Sequence, residues 1–378
     1  MWSDVLVRPS VAGRAEHTPV RHLSALDGLR GVAVLAVLAF HSGATRAVGG
    51  WLGVDVFFVL SGFLITWLLL AEFAAGGRVR FAGFYARRAL RLLPALYVVV
   101  AAVLLYAVLA PHPVATQKLG WGVVGTLLYV SDIQAATGHV PVLGLIEHTW
   151  SLSIEEHFYL LWPPLLVLLV RRGGQRVALV ATVSLAGLSA LLAPLLWAGA
   201  GSVARVYYGP DVRAQALLVG CALAVLLGGR RLPSAKAPQV LSLAGAAAGI
   251  GLIVLACTVN FRSAAVYHGG LSVIALLAGV LVAAVVVAPH GWLAALLSIP
   301  VLVGLGRISY GLYLWHWPVF LALNQGALGL PWLPTQAVRL VVAVGAASAS
   351  YLLVERRFLR RRHRFDPPRR AFALAGQT

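Results

Sequence analysis

The chain has 378 residues, of which 60% are hydrophobic and 11% charged, where a soluble domain carries roughly 25% charge. That balance excludes a soluble globular protein and indicates a polytopic membrane protein. The net charge of +18 invites a nucleic-acid reading, which the placement of the basic residues excludes.

Ten apolar runs long enough to cross about 30 Å of hydrocarbon recur near 24–42, 52–73, 93–110, 151–170, 177–198, 212–228, 240–258, 271–288, 308–325 and 336–354. An eleventh, 118–132, is shorter and carries Gly120, Gly122 and Gly125, so it reads as a re-entrant or surface-lying segment. The expected fold is an all-α transmembrane bundle. With residue 1 inside, 24 of the 30 Lys and Arg fall on the inner side, which puts both termini in the cytoplasm. A full crossing by 118–132 would invert the later loops and degrade that bias. The chain divides into a tail over 1–22, one integral domain over 23–355 and a basic tail over 356–378 that lies against the anionic inner leaflet. Residues 1–22 hold no apolar core of a signal peptide, so the first span is expected to start translocation. Cys221 and Cys257 fall in predicted spans and read as core thiols.

Several spans hold ionisable residues that lipid disfavours and that therefore face a bundle interior or a wet cavity. In LDGLRGVAVLAVLAFH, Asp27, Arg30, Val34 and His41 share one helix face, because eleven steps of 100° return to within about 20° while rising roughly 16 Å. Arg30 is placed near the cytoplasmic surface and His41 near the external one; a snorkelling anchor and an interfacial histidine are the plainer alternatives. In the second span Asp55, Gly62 and Thr66 share a face, and Gly53 and Gly62 permit close helix contact. The loop after His41 is short, so Asp55 is expected to meet the imidazole and fix its tautomer, unless it serves only as a charge at a helix start.

The inner segment FYARRALRLLP offers Arg87, Arg88 and Arg91, with Arg87 and Arg91 on one face, as a dock for an anionic donor or as topology anchors. In HTWSLSIEEHFYLLWPP, Ser151 or Ser153 can cap a helix, which leaves two carboxylates beside His157 unexplained. Glu155, Phe158, Tyr159 and Trp162 form a stripe suited to an acid beside aromatic walls for a sugar-like ring. In GRISYGLYLWHWPV, Ser309, Tyr313 and His316 lie along one stripe, with a packed, hydrogen-bonded histidine as the alternative.

The segments LDGLRGVAVLAVLAFH, GVDVFFVLSGFLIT, FYARRALRLLP, WSLSIEEHFYLLWP, PDVRAQALLVG and ISYGLYLWHWPV together resemble the acyltransferase 3 family of membrane acyltransferases. The resemblance implies O-acyl, often O-acetyl, transfer from cytoplasmic acyl-CoA to a hydroxyl of a glycan or of a glycosylated small molecule at or across the membrane. Arg outnumbers Lys 28 to 2 and Ala, Val, Gly and Leu abound, which points to a GC-rich coding sequence and a bacterial source, so the expected acceptor is an envelope glycan, a glycolipid or a glycosylated metabolite, the expected place a bacterial inner membrane, and no metal is expected. It implies catalytic roles for His41 and Asp55, and for Glu155 on the acceptor side, with Arg30, Arg87, Arg88 and Arg91 on the donor. Trp150, Glu156, His157, Tyr159, Asp211, Arg213 and His316 are expected to bind substrate. Two departures stand out: Gln215 where relatives often have an acid after the Asp211 and Arg213 pair, and Arg357 in place of the proline usual after Glu355 and Arg356. A C-terminal hydrolase-like domain found in some relatives is not in this sequence, so any second acyl-handling step is expected to need another protein. The competing expectations are a proton-coupled transporter with Asp55, Glu155, His41 and His316 as its relay, and a structural membrane scaffold.

Overall fold

The computed structural model describes residues 23–110, 116–138, 144–200, 203–228 and 237–365; the tail over 1–22 and the end of the basic tail lie outside them. Among the described residues every regular element is helical. In chain order the helices are α1 Ser24–His41, α2 Gly53–Gly76, α3 Phe81–Leu109, α4 Thr116–Leu127 and α5 Ser131–Thr137. A tight 3-10 turn, Gly144–Thr149, then leads into α6 Trp150–Ala200, followed by α7 Val203–Tyr208, α8 Pro210–Gly228, α9 Ala237–Thr258 and α10 Leu271–Val287. The chain continues through α11 Trp292–Leu297, α12 Pro300–Arg307, α13 Ser309–Ala322, α14 Gln325–Leu328, α15 Trp332–Ser350 and α16 Arg356–Arg361.

Eight helical stretches among the described residues are long and apolar enough to cross a membrane. The fold is an all-α, multi-pass membrane bundle. Each of the ten apolar runs falls on helix, and α6 carries two of them. Those two halves part at Gly173 and Gly174, where the backbone leaves the helical region and Gly174 takes φ +65°; a side chain there would be strained. The eleventh run forms α4, whose 12 residues reach only about 18 Å, short of the hydrocarbon thickness.

The core gathers where α1, α2, α8 and α10 meet, with Leu29, Val37, Phe58, Phe63, Leu217 and Val282 buried. Helices α2 and α8 touch backbone to backbone: a Cβ on Gly62 would run into the Leu217 carbonyl, and one on Gly220 into the Val59 carbonyl. This contact sets Asp55 of α2 against Arg213 of α8. Outer helices reverse the soluble pattern, with Ile250 and Ile253 of α9 and Val341 of α15 exposed toward the space that lipid fills. Cys221 is buried, but Cys257 is exposed on α9, so only one of the two expected core thiols is one.

Candidate active site

Helix α13 organises the polar interior. Its Ser309, Tyr313 and His316 lie on successive turns of one face, as the sequence stripe predicts, and each meets a polar partner. Ser309 Oγ accepts from Arg30 Nε at 3.3 Å and Nη2 at 3.1 Å. Tyr313 Oη donates to the His148 carbonyl at 2.9 Å and lies 2.7 Å from Ser151 Oγ. His316, fully buried, sits 2.9 Å through Nε2 from Nδ1 of half-buried His41. Helices α1 and α13 therefore run side by side in the same direction, and the Arg30 to His41 face predicted from spacing is the face that α13 covers.

The hydrogen bonds settle the tautomers. His316 Nδ1 lies 2.5 Å from the Tyr313 carbonyl, which can only accept, so Nδ1 carries the proton and a neutral His316 presents Nε2 as an acceptor. His41 Nδ1 must then donate to it, which leaves the lone pair on His41 Nε2 bare. Trp317 packs edge-on against the His41 ring, with centroids 4.6 Å apart, and His316 stacks on it at 5.0 Å. For a neutral His41 the result is an imidazole oriented through Nδ1, with Nε2 left outside that hydrogen bond.

The expected partnership of His41 with Asp55 is corrected by this geometry. Asp55 Oδ2 accepts from Arg213 Nη2 at 3.1 Å, both side chains being buried. The guanidinium also sits 5.3 to 5.7 Å from the ring centres of Tyr207, Trp150 and Phe58. A full counter-charge in a dry site outcompetes a neutral ring, so the carboxylate turns to α8. Asp211, expected with Arg213 to bind substrate, forms a two-pronged ion pair with Arg205 at 2.9 and 2.6 Å. Gln215 acts as an uncharged strut, its Oε1 accepting from Ser272 of α10 at 2.6 Å and its amide donating to the Val212 carbonyl.

A second cluster gathers around Arg88 of α3. Its Nε and Nη2 donate to Glu156 at 3.0 and 2.8 Å, Glu155 lies 4.0 Å away, and the guanidinium stands 3.0 Å over the Tyr159 ring. Glu155 accepts from Ser61 of α2 at 2.7 Å. The resemblance assigned Arg88 to the donor and Glu155 to the acceptor side, yet they meet in one cavity. Open in part to its surroundings, it is lined by Arg30, Ser61, Arg88, Arg91, Ser151, Glu155, Ser309 and Tyr313, with Phe57 and Phe58 among its apolar walls. Arg87 is not in that lining; it faces Glu72 at 3.7 Å and the Phe365 carbonyl. The predicted face of Arg87 and Arg91 is thus split, and Arg88 joins Arg91 instead.

Other expected residues are placed elsewhere. His157 turns to buried Asp132 at 3.3 Å, beside α5. Trp150 is buried against Tyr207 and Tyr208, and Trp162 stacks on Phe158 while donating to Thr66, so neither forms an open wall for a sugar. Ser151 and Ser153 are not caps: the first bonds to Tyr313 and the His148 carbonyl, the second to Ser131 and the Thr149 carbonyl. The residue that sequence reasoning passed over is His148. It is buried, its ring centre lies 5.4 Å from Tyr313 and 5.5 Å from His316, and neither of its nitrogens makes a hydrogen bond of standard geometry. Its signal was a histidine at the mouth of an apolar helix, two residues before Trp150.

A family model for the acyltransferase domain matches residues 23–355. The chain belongs to the acyltransferase 3 family. It is 37% identical over 309 residues, 79% of this chain, to peptidoglycan O-acetyltransferase OatA of Listeria monocytogenes, of which the match covers 49%. It is 36% identical over 348 residues to putative peptidoglycan O-acetyltransferase YrhL of Bacillus subtilis, covering 89% of this chain and 55% of that one. A putative O-acetyltransferase of Staphylococcus aureus is 35% identical over 321 residues, 81% of this chain and 52% of the relative. The chain thus spans about half the length of the curated relatives it matches. No solved structure matches.

Proposed function

We propose that the chain is an O-acyltransferase that moves an acyl group, acetyl by analogy with the relatives' names, from cytoplasmic acyl-CoA to a hydroxyl of a cell-envelope glycan, with peptidoglycan the first candidate acceptor. The observation that carries the reading is the bare Nε2 of His41, held by His316 at the far end of the same helix face that begins at the Arg30 side of the cavity. Arg30, Arg88 and Arg91, with the Ser61 and Ser309 hydroxyls, fit an anionic donor with a flexible polar arm. The positive-inside bias supports the orientation of this reading, with the arginine end of the cavity toward the cytoplasm, His41 toward the outside of a bacterial inner membrane and both termini cytoplasmic.

In the transfer, His41 Nε2 takes the proton from the acceptor hydroxyl as its oxygen bonds the acyl carbon. The carbon–sulfur bond breaks, and the same proton passes to the departing CoA thiolate, so acyl-CoA and alcohol become ester and free CoA. His316 keeps the ring oriented throughout. Glu155, held by Ser61 and facing Arg88, positions the cavity's charges. Asp55 supports α2 and α8 through Arg213 and reaches the site only through packing.

The transporter relay needs its four groups in one chain of proton donors and acceptors. They fall instead into three clusters, His41 with His316, Asp55 with Arg213, and Glu155 with Ser61 and Arg88. Purified protein with acetyl-CoA and a soluble glycan acceptor is expected to release free CoA, read with a thiol reagent, and to stop when His41→Ala is introduced. Uptake of an intact solute without CoA release would refute the proposal.

A further inference from the structure

The cavity does not reach His41. Tyr313, Ser151 and Leu152 are among the residues that line it, and none of His41, His148 and His316 is. Along α13 the Tyr313 level lies about 6 Å beyond Ser309, and His316 about 4.5 Å beyond that, so the Tyr313 ring stands between the arginine-lined space and the histidine pair. The ring is buried and its hydroxyl is tied down twice, to the His148 carbonyl at 2.9 Å and to Ser151 Oγ at 2.7 Å. With its proton on the carbonyl, that hydroxyl can accept from Ser151 in place of the 3.3 Å bond that Ser151 also makes to the His148 carbonyl. Both anchors belong to the start of α6 and the turn before it, whereas Tyr313 belongs to α13. The barrier is therefore a side chain spanning two helices, held by hydrogen bonds whose release requires neither helix to unfold.

We propose that Tyr313 is the gate between the donor cavity and His41, and that its ring sets the largest acyl group that passes. The proposal rests on the donor reading above and makes it specific: the substrate is a short-chain acyl-CoA. A two-carbon acyl tip slips past once the Ser151 and His148 bonds let go. A longer chain needs the ring itself displaced, and each added methylene that a packed wall excludes lowers kcat/KM about tenfold or more. The latch has a second consequence, because it shuts off the path by which water from the His41 side enters the cavity when no acceptor is bound.

The test uses the full chain in detergent or nanodiscs with acetyl-, butyryl- and hexanoyl-CoA, in wild type, Tyr313→Ala, Tyr313→Leu and Tyr313→Phe. CoA release gives kcat/KM for each chain, and unreactive thioether analogues of the same lengths give affinities for any variant that binds without turning over. The gate predicts that the acetyl-to-hexanoyl ratio falls at least about tenfold in Tyr313→Ala and Tyr313→Leu. Tyr313→Phe keeps the ring, so it keeps the ratio but raises acceptor-independent CoA release. An unchanged ratio in both truncated variants, in turnover and in binding, overturns the gate alone. A wild type that neither binds nor cleaves any acyl-CoA overturns the donor reading, and the gate with it.

Discussion

Replacing His316 with phenylalanine isolates the claim that a neutral imidazole, and not a carboxylate, orients His41. The change keeps an aromatic ring in a fully buried position, so packing with Phe320 and Tyr313 is largely retained. What is lost is the acceptor 2.9 Å from His41 Nδ1. Leaving a donor unpaired there costs about 1–3 kcal/mol, which converts to a five- to roughly 150-fold loss of correctly oriented base. Deleting the base itself costs about 10²- to 10⁴-fold. Under saturating acyl-CoA, kcat for His316→Phe is therefore expected between wild type and His41→Ala. KM for acyl-CoA should stay within about twofold, because His316 does not line the cavity. His316→Gln offers a carbonyl oxygen to the same N–H and should recover part of the loss. An unchanged kcat would refute the tautomer argument, and so would a loss as deep as His41→Ala in the same assay, since His316 would then be the base.

Asp55→Ala strands Arg213 in a dry aromatic cage and should destabilise the protein by about 3–5 kcal/mol, read as lower thermal stability in detergent. The double variant Asp55→Leu with Arg213→Met is expected to recover most of that stability and measurable transfer. A catalytic Asp55 would leave the double variant stable and dead. Arg91→Ala should raise KM for acyl-CoA by about tenfold or more, the worth of a charge-assisted hydrogen bond, whereas Arg87→Ala, outside the cavity lining, should shift KM less than about twofold. Equal shifts in the two would contradict the division drawn between them.

The helices were legible because hydrocarbon thickness imposes a length on every apolar run, and even the break inside α6 showed as a gap between Val170 and Val177 filled by arginines and glycines. Faces were legible too: the turn angle alone placed Arg30 with His41, and Ser309, Tyr313 and His316 on one stripe. Partners across helices were not. His41 bonds a residue 275 positions away and Asp55 one 158 positions away, and no periodicity within a helix encodes which neighbour covers its face. Chain proximity was a misleading guide to Asp55, because the glycine contact of α2 with α8 rotates it toward Arg213. The division into donor and acceptor sides misled likewise for Arg88 and Glu155, whose long side chains meet in one cavity.

The sharpest test is nitrogen-15 NMR of histidine-labelled protein in nanodiscs, with His41 and His316 assigned by their single substitutions. At neutral pH, His41 should show a protonated Nδ1 and an unprotonated Nε2 with a coupling from its Nδ1 proton to His316, the tautomer that leaves a base facing the acceptor. A proton resting on His41 Nε2, with Nδ1 bare, would contradict it.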